Sequence, residues 1–334
     1  MNALKLSVVV PTYRRPEDLK GCLKSLFDQS KLPQEILVVD NDPDGSADPV
    51  IRSLLGTATA RGVNLRYVRG RMNSLPSARN LGIERTQGDI LFFVDDDVVL
   101  DRLYLEEIEK TYQADSTVVG VQGFMDLPGG GFFREWVQRL FYWFHLEQGR
   151  CRVLPSVSAT YPRDLQTTIP CQWMSGANHS YRRSFLADLR YDEKLLKYAD
   201  GEDFDMSYRM FKAWPGGLWI NPRARCVHKG SMESRALGRE LICMQEVYGL
   251  YLFWKLFEPS WKNKIIFAWS RCGRFLFGVA KCVRRFFSAQ TRNDLAILLG
   301  AYGMCLSHWN QIRNGDLNFF NETLRGGNNV PKNI

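Results

Sequence analysis

The chain has 334 residues, 45% of them hydrophobic and 24% charged, with a formal net charge of +8. This excludes a disordered, collagen-like or disulfide-stapled chain and leaves room for a large core. The charge is uneven: residues 231–334 hold fourteen Lys or Arg against seven Asp or Glu, so the first 230 are close to neutral. The basic end is the part expected to meet an anionic surface.

In chain order, LSVVV (6–10) is a short β-branched run, followed by helical spacing at Leu19, Cys22, Leu23, Leu26 and Phe27. EILVVD (35–40) reads as a second strand, and the turn-rich NDPDGSAD leads into a helix near Pro49 to Leu55. NLRYV (64–68) and LPSARNLGIERT form the third strand and helix. DILFFV (89–94), a helix through Tyr104 to Tyr112, and VVGVQG (118–123) complete the series. Strands without alternation, separated by helices, imply a parallel sheet covered on both faces. Ligands of such sheets bind at the carboxyl ends of the strands. That rim collects Pro11 to Arg15, Asp40 to Asp42, and Asp95 to Asp97.

The rhythm breaks at residues 126–170. PGGGFFREWVQRLFYWFHL has a glycine hinge and an aromatic helix, either packed on the body or serving as an acceptor-binding flap. QWMSGANHSYRRSFL reads as strand, turn and helix, DGEDFDMSYRMFKA as a helix with an acidic start, and GGLWINPRARCVH as a strand pair ending at His228. The chain beyond is helical and basic. The eight cysteines lack C-x-x-C spacing, which argues against zinc and for a reduced, cytosolic protein. The apolar start halts at Pro11, too soon for a signal peptide, and no stretch reaches the ~18 apolar residues of a membrane span.

Three adjacent carboxylates, Asp95 to Asp97, end the fourth strand and repel one another. Alternation along a strand sends Asp95 and Asp97 to one side and Asp96 to the other. A hard divalent cation, Mn²⁺ or Mg²⁺, would offset that repulsion and bridge to phosphates. The alternative is a solvated acidic turn.

VVVPTYRR, ILVVDND, SARNLG, FFVDDD, SGANHSYRR and GEDFDMSYR occur in that order. Together they resemble the inverting family-2 glycosyltransferases of the GT-A fold, over about residues 4–231. The resemblance implies an α/β fold with a Rossmann-like, mostly parallel sheet, here carrying a C-terminal helical extension. It implies a catalytic domain at 1–230, leaving 231–334 as a helical basic region. It also implies a nucleotide-diphosphate sugar donor, a divalent cation and inversion at the anomeric carbon. By position, Pro11, Thr12 and Tyr13 match the loop beside the base, and Asp40 the acid on the base edge. Arg79 and Asn80 match the segment that supports the diphosphate, although NSLPSARN lacks the glycine usual before it. Asp95 and Asp96 match the ribose-holding and metal-organising positions, and Asp97 the metal ligand. Glu202 and Asp203 match the pair that supplies the catalytic base, and Asn178 a donor-sugar or acceptor contact. His228 matches a histidine that ligates the metal or touches the diphosphate, or is a structural histidine.

Asp203 has its own physical argument. With Asp200 as cap, it lies in the first turn of a helix, where the dipole favours the ionised form. An ionised carboxylate is what removing an acceptor proton needs. The plainer reading is that these acids only cap the helix. Trp173 and Trp214 offer apolar faces to a sugar ring or, more simply, to the core.

From Pro259 to Arg292 there are eight basic residues and no acidic ones. Ile265, Trp269, Cys272, Leu276, Val279, Val283 and Phe286 recur at steps of four and three, and Arg271, Arg274, Lys281 and Arg285 lie opposite. Such a helix either binds an anionic membrane surface or packs on the body with a solvated basic side. No basic groove marks the body for nucleic acid. The expected protein is a transferase, cytoplasmic or peripheral on the cytoplasmic face of the membrane, acting on a glycan or lipid-linked glycan in surface-polysaccharide synthesis. Its rivals are a sugar nucleotidyltransferase, which would need a glycine-rich loop after the first strand, and a silent scaffold of a polysaccharide-assembly complex.

Overall fold

A computed structural model describes residues 4–198, 201–231 and 238–325. Its first part alternates β1 (Leu6–Thr12), α1 (Pro16–Phe27), β2 (Glu35–Asp40), α2 (Asp48–Ala60), β3 (Asn64–Arg69) and α3 (Leu75–Arg85). β4 (Ile90–Val94), β5 (Val98–Leu100), α4 (Tyr104–Ala114) and β6 (Gly120–Met125) follow. β1, β2, β4 and β6 are buried throughout, which explains their unbroken apolar sequences. Next come α5 (Phe132–Leu140), β7 (His145–Gln148), β8 (Val153–Leu154), β9 (Ser158–Arg163), β10 (Ile169–Pro170) and β11 (Asn178–Arg182). α6 (Glu202–Ala213) and β12 (Leu218–His228) precede α7 (Arg239–Leu256), α8 (Trp261–Arg284), α9 (Ala289–Ser307), α10 (Trp309–Arg313) and α11 (Asn318–Arg325).

The main sheet has nine strands, ordered β10-β12-β6-β11-β4-β1-β2-β3 with β5 on β12. β4, β1, β2 and β3 are parallel, as their helical crossovers require. β11 enters antiparallel between β4 and β6. The expected α/β architecture with a helical extension is therefore present, and the carboxyl ends of β1, β2 and β4 share one rim.

Two local readings need correction. The stretch ending at His228 is one long strand rather than a pair, with its register shifted between Asn221 and Arg225. Pro222 lies in that gap and has no N–H for the ladder. After β11 the chain makes only a short 3₁₀ turn, Arg183–Leu186, rather than a helix.

The C-terminal helices join the body through a shared core, in which Ala159, Leu195, Leu196 and Phe204 pack with Met244, Tyr248 and Phe253 of α7. α5 buries none of its residues. α8 reverses the packed-helix expectation. Its apolar positions Ile265, Trp269, Leu276 and Val283 are exposed, while the opposite side faces the body. The cause is Glu246 on α7, only 2% exposed, which pairs with both Arg271 and Arg274 at 3.2 and 2.8 Å. Lys281 likewise pairs with Asp294 of α9 at 2.9 Å. A buried carboxylate needs a cation more than an apolar stripe needs cover, because unpaired burial costs several kcal/mol per charge. Among the described residues no helix is long and apolar enough to cross a membrane.

Candidate active site

β4 ends at Val94, and the chain turns through Asp95 to Asp97, with the N–H of Val98 donating to the carbonyl of Asp95 at 3.2 Å. The turn separates the carboxylates as alternation requires. Asp96 turns toward β1, where Thr12 Oγ1 donates to it at 2.7 Å and Arg15 lies at 3.3 Å. Asp95 and Asp97 converge instead with His228, their ligand atoms all within 4.8 Å of one another. The antiparallel pairing of β12 with β5 puts His228 opposite Val98, just past the turn. His228 Nε2 lies 3.1 Å from Asp97 Oδ1.

Burial works against charge on Asp97, yet His228, the N–H of Ser231 and Arg15 together hold its carboxyl below the usual range. Burial dominates at Asp96 and pushes it up to about 7, despite Thr12 and Arg15. Asp95 is also raised by burial, against the pull of Arg79. The repulsion among the three acids is thus divided between two arginines, an imidazole and partial protonation. Two carboxylates and one imidazole suit Mn²⁺ or Mg²⁺, which favour oxygen ligands.

Asp95 and Asp96 line a cavity of about 400 Å³. Pro11, Thr12 and Tyr13 form part of its wall, with Arg15 and Asn41 beside them. The far wall is Lys197, Tyr198 and Glu240. Lys197 Nζ and Glu240 Oε2 are 2.7 Å apart and tie the loop after β11 to the first turn of α7. The backbone of that loop bonds to Asn73 and Leu75, which fixes the glycine-less segment before α3. Ser74 caps α3 there, its hydroxyl accepting from the N–H of Ser77 at 3.4 Å.

Arg79 is fully buried and links the two halves of the site. Nη2 contacts Asp95 Oδ1 at 3.1 Å and donates to the carbonyl of Gly176 at 2.9 Å, while Nη1 contacts Glu202 Oε1 at 2.9 Å. Burial, and then the charge of Asp203, push Glu202 up to about 8 even with Arg79 alongside. Asp203 is less enclosed. Its Oδ2 accepts from the N–H of Gly176 and its Oδ1 from the N–H of Phe204, both at 2.7 Å. α6 starts at Glu202 with Gly201 as its N-cap, in the left-handed region at φ +100° that glycine tolerates. Asp200, expected as the cap, lies outside the described residues.

Asp203 lines a second cavity of about 240 Å³. Phe144, Trp173, Phe204, Arg271 and Arg274 lie around it. The site therefore has a carboxylate-rich chamber and a separate chamber with one accessible carboxylate, joined through Arg79 and Gly176.

Asp40, Asn178, Asn80 and Trp214, all candidates from the sequence, line neither chamber. Asp40 is 1% exposed and accepts from the N–H groups of Asp42 and Ala47 and from the Tyr67 hydroxyl. It shapes the loop after β2, while its neighbour Asn41 reaches the cavity. Asn178 is buried on β11, with Nδ2 donating to the Gly123 carbonyl at 3.2 Å and to Cys226 Sγ at 2.9 Å. Asn80 clamps Tyr191 through its backbone N–H and carbonyl. Trp214 packs edge-on against Phe185 in the core, whereas Trp173 reaches the second chamber. Lys197, Tyr198 and Glu240 carry no signal in the sequence, whereas Arg15 belongs to the YRRP turn on the expected rim.

The sequence model of glycosyl transferase family 2 matches residues 7–190, more than half of the chain. The uncharacterized glycosyltransferase EpsJ of Bacillus subtilis is 27% identical over 208 residues, covering 60% of this chain and 55% of that protein. Glycosyltransferase GlyA of Streptococcus pneumoniae is 30% identical over 132 residues, 39% of this chain and 18% of that protein. The matches thus span less than two thirds of these relatives. Among solved structures, the mannosyltransferase PcManGT of Pyrobaculum calidifontis, in complex with GDP-Man and Mn²⁺, aligns with a TM-score of 0.54 at 15% identity. That alignment covers 92% of this chain and 88% of the other. S. aureus TarS 1–349 aligns at 0.52 and 15% identity, over 98% and 93%. These likenesses show the GT-A fold. With the rim carboxylates and the family match in agreement, the chain belongs to glycosyl transferase family 2.

Proposed function

We propose that this chain is a glycosyltransferase that takes a sugar from a nucleotide-diphosphate donor in the carboxylate-rich chamber and transfers it, with inversion, to an acceptor hydroxyl in the Asp203 chamber. The observation that carries this is the division itself: two carboxylates and an imidazole clustered on one side of Arg79, an accessible carboxylate on the other. Asp95, Asp97 and His228 would hold a divalent cation, which, when bound, offsets the charge that builds on the leaving diphosphate. The solved neighbour with GDP-Man and Mn²⁺ supports this choice of ligands by analogy of fold.

In this reading Thr12, Tyr13 and Asn41 border the nucleoside. Arg15 and Arg79 hold Asp96 and Asp95 in place. Asp203 removes the proton from the acceptor oxygen as that oxygen attacks the anomeric carbon. The new C–O bond forms opposite the breaking bond to the diphosphate, whose electron pair leaves with the phosphate. Two backbone N–H groups, of Gly176 and Phe204, donate to Asp203 and fix its orientation. Glu202, buried and paired with Arg79, positions rather than reacts. The unit at 1–230 carries the chemistry, and α7 and α8 wall the acceptor side, with Glu240 of α7 also reaching the donor chamber. The acceptor we infer is a glycan or lipid-linked glycan of a surface polysaccharide, met at the cytoplasmic face of a membrane by a peripherally bound enzyme.

Calorimetric titration with UDP and GDP, with and without Mn²⁺, tests the donor half. Micromolar binding that requires the cation supports it, and cation-independent binding or none overturns it.

A further inference from the structure

α8 exposes a continuous apolar stripe along a helix that contains no acidic residue. Trp261 is 76% exposed and Ile265 57%, and Trp269, Leu276 and Val283 continue the line. Phe286 and Phe287 extend it past the helix end. α5 supplies a second exposed row in Phe132, Phe133 and Trp136, with Phe132 89% exposed.

The two rows are one surface. The rings of Phe141 and Trp269 lie 5.2 Å apart, and Trp269 Nε1 donates to the carbonyl of Leu140 at 2.8 Å. Trp143 Nε1 donates to the carbonyl of Ser270 at 3.2 Å. Gly273 makes the contact close, since a side chain there would occupy the place of the Phe141 ring. Apolar patches of this extent mark an interaction site rather than ordinary surface.

The cations around it indicate the partner. Lys262 and Lys264 are exposed at the start of α8, Arg284 and Arg285 at its end, and Arg134 and Arg139 on α5. Two copies of the chain meeting face to face would bring these like charges together. A bilayer containing anionic lipid satisfies both parts, with rings at the headgroup boundary and cations on the phosphates. We propose that the outward faces of α5 and α8 together seat the chain on an anionic membrane. The basic side opposite, with Arg271 and Arg274 on Glu246, holds the helix to the body instead.

The seat has a functional consequence. Phe144, just after α5, and Arg271 and Arg274 of α8 line the chamber of Asp203. A chain lying on this surface has its acceptor chamber about one helix diameter, ~10 Å, from the bilayer surface, within reach of a lipid-linked acceptor. That consequence rests on the proposed transfer reaction; the surface itself does not.

The test uses the full chain and vesicles of phosphatidylcholine with or without phosphatidylglycerol. Cys272 is exposed on the stripe and the other seven cysteines are buried, so it takes an environment-sensitive thiol dye selectively. The proposal expects flotation with the anionic vesicles, weakened by salt, and a blue shift of the dye. Replacing Phe132, Phe133, Trp261 and Ile265 by Ser should weaken vesicle binding by ~10-fold or more while the unfolding midpoint holds, because apolar burial in the interface supplies the affinity. Replacing Lys262, Lys264, Arg284 and Arg285 by Gln should abolish the preference for phosphatidylglycerol. Parent protein that ignores anionic vesicles, apolar variants that float like the parent, or a dye already buried in a soluble dimer would each overturn it. Transfer to a water-soluble acceptor should survive in the surface variants. Vesicle binding without any transfer would count against the transferase mechanism and leave the surface standing.

Discussion

Arg79 on α3 and Glu202 on α6 form an ion pair, Nη1 to Oε1 at 2.9 Å, with neither side chain more than 6% exposed. The same guanidinium holds Asp95, so one cation fixes a carboxylate of the first chamber against the helix that borders the second. Two buried acids depend on it.

Arg79→Ala should therefore destabilise the protein by about 3–5 kcal/mol at pH 8, the usual cost of orphaning buried charge. The loss should shrink at pH 5, where Glu202 takes up a proton. Urea unfolding at both pH values measures this. Equal losses would mean that Arg79 contributes packing alone.

Glu202 makes a pH prediction of its own. Its folded pKa, about 8, lies above the ordinary value of 4.5. The folded state keeps the proton longer than the unfolded chain, so this contribution is complete below pH 4.5 and is lost as pH rises through 8. Glu202→Gln should flatten the fall in stability between pH 5 and 8. Thermal midpoints across that range check it, and parallel profiles for parent and variant would contradict it.

At the proposed cation site, Asp97→Ala should abolish Mn²⁺-dependent nucleotide binding, with the sheet intact by circular dichroism. His228→Ala should weaken Mn²⁺ affinity by more than the ~10–100-fold typical of outer-shell partners. Unchanged Mn²⁺ titrations in either variant would remove that residue from the site.

Gly176→Ala examines the join between the chambers. A Cβ there would lie 3.0 Å from Arg79 Nη2 and 3.3 Å from Asp203 Oδ2, so at least one must shift by a few tenths of an ångström. Turnover should fall up to ~10²-fold through misplacement of the carboxylate, with donor affinity retained. Steady-state kinetics beside a donor titration separate these effects.

The carboxylate rim was legible because strand ends are local. Buried runs closing in Pro11, Asp40 and Asp95 announce a parallel sheet and its ligand edge. The split of Asp96 from Asp95 and Asp97 followed from alternation alone. Other features depend on residues distant in sequence. Lys197, Tyr198 and Glu240 reach the first chamber only because the loop before α6 pairs with residues 73–75. Asp40 satisfies its own loop, which a strand-end position does not disclose. In α8 the period located the apolar stripe, but Glu246 on another helix decides which side faces water.

Most direct for the transfer mechanism is the rate of Asp203→Asn with matched donor and acceptor. Asn keeps the size and one acceptor oxygen for the N–H groups of Gly176 and Phe204, yet cannot take a proton. The variant's kcat should fall by at least ~10²-fold, the usual loss on removing a general base, with donor affinity unchanged. Turnover near that of the parent would remove Asp203 from the mechanism.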